Sequence, residues 1–162
     1  MGMYTYFTFD GTVKEKYREP IFELLTSLFD EESLCDKVKR LGLTFLEEFA
    51  KGERAGQILY GAQCEDECSY NSETGILHLE CDIKNYCEQN SDGSYKPKNS
   101  SALFIEALPE LFDNDKKIAY SFFYEEDEMA VELEYINGEW VQTNKEAYEK
   151  AWNEAHPYPG RW

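Results

Sequence analysis

The chain has 162 residues, with 33 acidic and 16 basic side chains and a formal charge of −17. Such a surface repels nucleic acid, whose binding needs a basic stripe that releases phosphate counterions, and it is disfavoured on anionic membranes. With 12 Tyr and 10 Phe the composition is not that of a disordered acidic tail, and the length suits one domain over residues 1–162.

Residues 3–9 are rich in aromatic and Thr side chains, which suits a first strand. Thr12 and Glu15 have capping-box spacing. Pro20 fits the first position of a helix over Ile21 to Phe29. Asp30 is placed to cap a second helix through Leu34, Val38 and Leu41. Leu43, Leu46 and Phe49 extend that stripe to a stop near Gly52.

The period then changes. Over residues 57–70, Ile58, Tyr60, Ala62, Cys64, Cys68 and Tyr70 recur at spacing two, the mark of a strand. A turn at 71–75 leads to a return strand. Its Leu77, Leu79, Cys81 and Ile83 face inward, and His78, Glu80, Asp82 and Lys84 face outward. Residues 84–100 read as a polar loop. Ser100 or Ser101 is placed to cap a helix through Leu103, Phe104, Ala107, Leu108 and Leu111, with Pro109 against its second half.

Residues 117–143 read as a three-strand meander. Ile118, Tyr120, Phe122 and Tyr124 share one face. Met129, Val131, Leu133 and Tyr135 share one face of the next strand. Asn137-Gly138 is a strong hairpin turn signal. Thr143 and Glu146 have capping-box spacing for a last helix to about Ala155, and residues 156–162 form an irregular aromatic tail. The order β, helices, hairpin, helix, meander, helix predicts an α+β domain. Its expected form is a ferredoxin-like antiparallel sheet with helices on one face, extra N-terminal helices and a C-terminal helix.

Residues 76–139 carry a resemblance. A strand ending in acidic residues, a short amphipathic helix and the run Tyr120-Ser121-Phe122-Phe123-Tyr124-Glu125-Glu126-Asp127-Glu128-Met129, followed by Tyr135, Gly138 and Glu139, resemble the YubB-like ferredoxin-like proteins of plasmids and phages. The family often has Trp and Pro between strand and helix and a Gly before the Met. Here residues 84–100 hold no Trp, and Glu128 precedes Met129. The resemblance implies a fold and a mobile-element setting, and no activity.

Four candidate sites stand beside blander readings. Glu125, Glu126, Asp127 and Glu128 form an acidic turn, and Glu132 and Glu134 project opposite Val131 and Leu133. Alternate strand residues lie about 6.6 Å apart and DNA phosphates about 3.4 Å apart along each strand. Such carboxylates on a stiff strand imitate phosphates toward a basic, nucleic-acid-binding protein. The blander reading is a solvated face that also discourages edge pairing. Cys64, Cys68, Cys81 and Cys87 invite comparison with a zinc site. Cys64 and Cys68 stand about 13 Å apart on an extended strand, so buried thiols are the simpler reading and no metal is assigned. Paired carboxylates invite an acid–base reading. The chain offers two His, no Gly-rich phosphate loop and no oriented nucleophile, so no catalytic residue and no cofactor is assigned. Trp152, Tyr158 and Trp162 pack on the core or anchor an interface.

The expected function is therefore an acidic module that binds a basic protein. The alternatives are a small-ligand domain or enzyme with an unidentified pocket, and a self-associating structural domain. The start lacks a signal-peptide pattern, no apolar run approaches a bilayer span, and an odd set of five cysteines fits reduced thiols. Those features predict a cytoplasmic protein with no membrane partner and no direct nucleic-acid contact.

Overall fold

The first strand, β1 (Thr5–Thr12), lies in the middle of the sheet. Its alternation decides the layers: Thr5, Phe7 and Phe9 are buried, while Tyr6, Thr8 and Asp10 point the other way and stay partly exposed. The computed structural model describes residues 4–60 and 68–157. After β1 come a 3-10 turn (Glu15–Tyr17), α1 (Arg18–Thr26), α2 (Leu34–Arg40), a second 3-10 turn (Thr44–Leu46), α3 (Glu47–Ala50) and α4 (Ala55–Tyr60). Then follow β2 (Ser69–Tyr70), β3 (Ile76–Ile83), α5 (Ser100–Leu111), β4 (Ala119–Tyr124), β5 (Val131–Ile136), β6 (Glu139–Gln142) and α6 (Lys145–Ala155).

The chain is α+β, with a six-stranded antiparallel sheet in the order β2-β3-β1-β4-β5-β6. β1 pairs with β3 on one side and β4 on the other. The inward side chains of β1 and β3 join Ile21, Leu24, Val38, Phe49, Ile58, Phe104 and Leu108 from α1 to α5 in one core. Phe104 sits at its centre, edge-on to Phe9 and tilted against Phe49, with centroids 4.8 Å apart in each case. Each such fully buried ring contributes roughly 1.5–3 kcal/mol through lost water contact alone.

Several local expectations need correction. Residues 57–60 belong to α4, not to a strand. Ala55, Ile58 and Leu59 are buried at helical spacing, and their contact with the core overrides a period-two pattern that six residues cannot distinguish. Ala62 and Cys64 lie outside the described residues. α2 is capped by Ser33, whose hydroxyl accepts from Asp36 N–H at 3.1 Å. Asp30 instead accepts from the buried Lys37 ammonium at 2.7 Å. Gly42 ends the segment with φ +75°, a left-handed conformation that glycine adopts without strain. α1 begins at Arg18, two residues before Pro20, and ends at Thr26.

α5 runs through Pro109 to Leu111. Its buried stripe of Phe104, Ala107, Leu108 and Leu111 outweighs the one N–H hydrogen bond that the proline cannot make. Asn99, not a serine, caps it, accepting from Ala102 N–H at 3.2 Å. The Thr143–Glu146 capping box does not form. Asn144 precedes α6, and its amide bridges Glu132 N–H and Ala130 C=O. Asn137-Gly138 makes the expected hairpin, with φ +52° and +81°.

The polar loop is anchored. Glu88, 1% exposed, accepts from Glu53 N–H at 2.6 Å, Ser100 N–H at 2.5 Å and the Ser100 hydroxyl at 2.7 Å. Its carboxylate lies 4.0 Å from the buried Arg54, which stacks under Tyr86. Burial pushes the Glu88 carboxyl up, but the hydrogen bonds from Ser100 and Glu53 and the Arg54 charge together hold it below its ordinary value. Polar composition therefore did not mean a loop without anchors. Among the described residues, no helix is long and apolar enough to cross a membrane.

Candidate functional site: an acidic sheet face

Cross-strand partners share a face of a sheet, so the register fixes which side chains stand together. Opposite the helices, one row runs Glu80–Thr8–Ser121–Glu132 across β3, β1, β4 and β5. The next runs Ser69–His78–Asp10–Ala119–Glu134–Val141 across all six strands. A third is Asp82–Tyr6–Phe123. Glu132 and Glu134 thus project from the outer face, as expected. The register adds Asp10, Glu80 and Asp82 beside them, which the sequence reading did not join to the site.

The acidic turn divides. Glu125 folds back on the sheet, its carboxylate accepting from Tyr4 N–H at 2.7 Å. Burial first, and then the Glu125 charge, raise the Asp82 carboxyl above its ordinary value. Glu126, Asp127 and Glu128 stay in the turn between β4 and β5. Glu126 and Glu128 are exposed.

His78 is embedded in this face between two carboxylates. Its Nδ1 lies 2.5 Å from Asp10 Oδ1, and its Nε2 lies 3.4 Å from Glu80 Oε1. Partial burial lowers its pKa, but the hydrogen bonds and charges of Asp10 and Glu80 win and raise it above its ordinary value. Thr8 and Ser121 share a hydroxyl hydrogen bond of 2.5 Å at the centre of the face. A groove of about 220 Å³ runs beside it, lined by Asp10, Glu132 and Glu134 together with Lys117, Thr8 and Thr143. Chemically this is a stiff array of carboxylates and hydroxyls, suited to accept hydrogen bonds from ammonium and guanidinium groups.

Cys81 is buried in the core, and burial first, then Cys68 and Asp82, push its thiol up to about 12. Cys68 Sγ accepts from Glu80 N–H at 3.3 Å, and Cys87 is exposed. Cys64 lies outside the described residues. Among those described, no group of His, Cys, Asp and Glu is placed to hold a metal ion. In the aromatic tail, Trp152 is 40% exposed and stacks on His156 at 4.1 Å. Tyr158 and Trp162 lie outside the described residues.

Compared with protein-family models, curated proteins and solved structures, the chain matches none.

Proposed function

We propose that this protein is a binding module that presents its acidic sheet face to a basic protein, one whose own ligand is a nucleic acid. The observation that supports this reading is the register. It lines up Asp10, Glu80, Asp82, Glu132 and Glu134 on one side of a six-stranded sheet whose other side packs on α1 to α5. Glu125 extends the array at one end, and the turn residues Glu126, Asp127 and Glu128 flank it. A basic partner gains steering and specificity from such a face, because potentials of opposite sign attract over several ångströms.

The order β2-β3-β1-β4, with helices between β1 and β2 and between β3 and β4, supports reading these four strands as a ferredoxin-like core. β5, β6 and α6 are then additions to it. The resemblance of residues 76–139 to the YubB-like proteins supports a plasmid or phage setting. The free thiols of Cys35, Cys81 and Cys87 fit a reducing cytoplasm.

The test is co-precipitation at low ionic strength with the full chain as bait. The expected result is a basic protein that salt releases, since screening weakens exposed charge pairs. Recovery of only neutral or acidic proteins, or of a partner indifferent to salt, would contradict the reading.

A further inference from the structure

The free edge of β6 has a definite pattern of backbone groups. Thr143 N–H donates to Glu132 C=O at 2.9 Å, which marks this as a hydrogen-bonded position of the ladder, with Glu132 N–H donating to Asn144 Oδ1 instead of to Thr143. Bonded and non-bonded pairs alternate along an antiparallel ladder. Val141 with Glu134, and Glu139 with Ile136, are therefore the next bonded pairs in register. Trp140 and Gln142 consequently turn their N–H and C=O groups away from β5. No strand lies beyond them among the described residues, and α6 packs extensively on no other element. β6 reads Glu-Trp-Val-Gln, without the Lys or Pro that commonly guards an edge. At its centre, on the outer face, Val141 is 41% exposed.

We propose that this edge pairs with β6 of a second copy of the chain, antiparallel, about a two-fold axis at Val141. Partners across a ladder must share a face, so only registers that join outward to outward side chains are allowed. Centring on Val141 sets Trp140 opposite Gln142 of the second copy, and Gln142 opposite its Trp140. Both are bonded pairs, each exchanging two N–H···O=C bonds. Centring on Trp140 leaves one such pair and brings Gln142 against Gly138 in the turn. The Val141 register also sets Glu139 opposite Thr143 rather than opposite another Glu139, which avoids a direct like-charge pair. It buries the two exposed Val141 side chains against each other. Closed two-fold pairing of this kind is self-complementary and stops at two copies.

The contact is small, so the dimer is weak and concentration-dependent. Two chains of −17 repel each other, so added salt strengthens it. This separates it from the proposed basic partner, whose binding salt weakens, and neither reading depends on the other.

Sedimentation equilibrium of the full chain, across a wide concentration range at low and high salt, tests the proposal. The expected result is a monomer–dimer equilibrium that shifts to dimer with salt. Gln142→Pro removes an N–H that β5 does not use, and Val141→Lys sets two ammonium groups face to face. Each should weaken the dimer about tenfold, with an unchanged circular-dichroism spectrum. Should Gln142→Pro fail to fold, Val141→Lys carries the test, because its side chain is exposed. A chain that stays monomeric under every condition overturns the proposal. So does a dimer that neither variant weakens.

Discussion

On β1, Phe7 and Phe9 are buried beneath the helices. On β5, Val131, Leu133 and Tyr135 occupy the same face of the same sheet, and none is buried. The helical cover fades across β4, where every residue is only partly buried. Beyond it, aromatic rings support one another: Trp140 meets Tyr120 at 4.8 Å and Tyr135 at 5.1 Å, both edge-on. One half of the sheet thus supplies the packed core. The other extends the hydrogen-bonded ladder to the margin of that core, where Tyr120, Phe122, Tyr135 and Trp140 pack against it only partly buried. The contrast teaches that the outer face is held stiff by a core to which its carboxylates contribute little.

The sharpest way to break that contrast is truncation. Phe9→Ala should cost about 4 kcal/mol, as transfer and cavity terms add in a site that cannot collapse. Tyr135→Ala should cost about 1–2 kcal/mol, because its ring is only partly buried at the margin of the core. Urea denaturation of both variants measures the difference. Equal losses would mean that the meander is as integral to the core as β1.

Next in size is Glu88→Ala, at about 3 kcal/mol. It leaves Ser100 N–H, Glu53 N–H and the Ser100 hydroxyl without their acceptor and removes one of the two carboxylates near the buried Arg54. The same carboxylate sets an acid limit. Its folded-state pKa lies below the ordinary 4.5, so its stabilisation is fully present above that value and is lost as pH falls through the folded pKa. Acid unfolding of the wild type should therefore be steeper than that of Glu88→Gln. Identical acid profiles would remove Glu88 from the account.

His78 acts in the opposite direction on the outer face. Its pKa is raised above 6.5, so the stabilisation from Asp10 and Glu80 is complete below 6.5 and fades as pH rises through the folded value. An NMR titration of the imidazole should give a midpoint above the ordinary one, moving down in Asp10→Asn. A midpoint at or below 6.5 in the wild type would show that burial, not the carboxylates, dominates. The smallest expected effect is on stability in Glu132→Lys/Glu134→Lys, within about 0.5 kcal/mol. A larger loss would tie these carboxylates to the fold instead of to display.

The sequence was most legible where the governing interactions are local. The alternation from Leu77 to Ile83 named the buried and outward faces of β3 correctly, and Asn137-Gly138 named the hairpin. Glu132 and Glu134 followed from the same period-two rule. Asp10, Glu80 and Asp82 did not join them in the sequence reading, because only the pairing of β1 with β3 and β4, far apart in the chain, sets them on the same surface. Glu88 was lost in a polar loop, since its partners Glu53 and Ser100 lie 35 and 12 residues away. Ile58 was misplaced because it fits a spacing-two pattern drawn over residues 57–70 as well as the helical spacing of Ala55, Ile58 and Leu59. Asn99 was hidden beside Ser100 and Ser101, which cap about as well as asparagine, and the role of Asn144 lies in contacts to Glu132 and Ala130, distant in the chain.

The central claim is that position on the outer face, not total acidity, recruits a basic partner. It is tested most directly by comparing two double charge reversals of equal net charge, Glu132→Lys/Glu134→Lys on that face and Glu146→Lys/Glu149→Lys on α6, for affinity toward the co-precipitated basic protein at low salt. The account predicts that the first loses binding while its fold persists and that the second binds nearly as the wild type does. Equal weakening by the two, or a first variant that still binds fully, would contradict it.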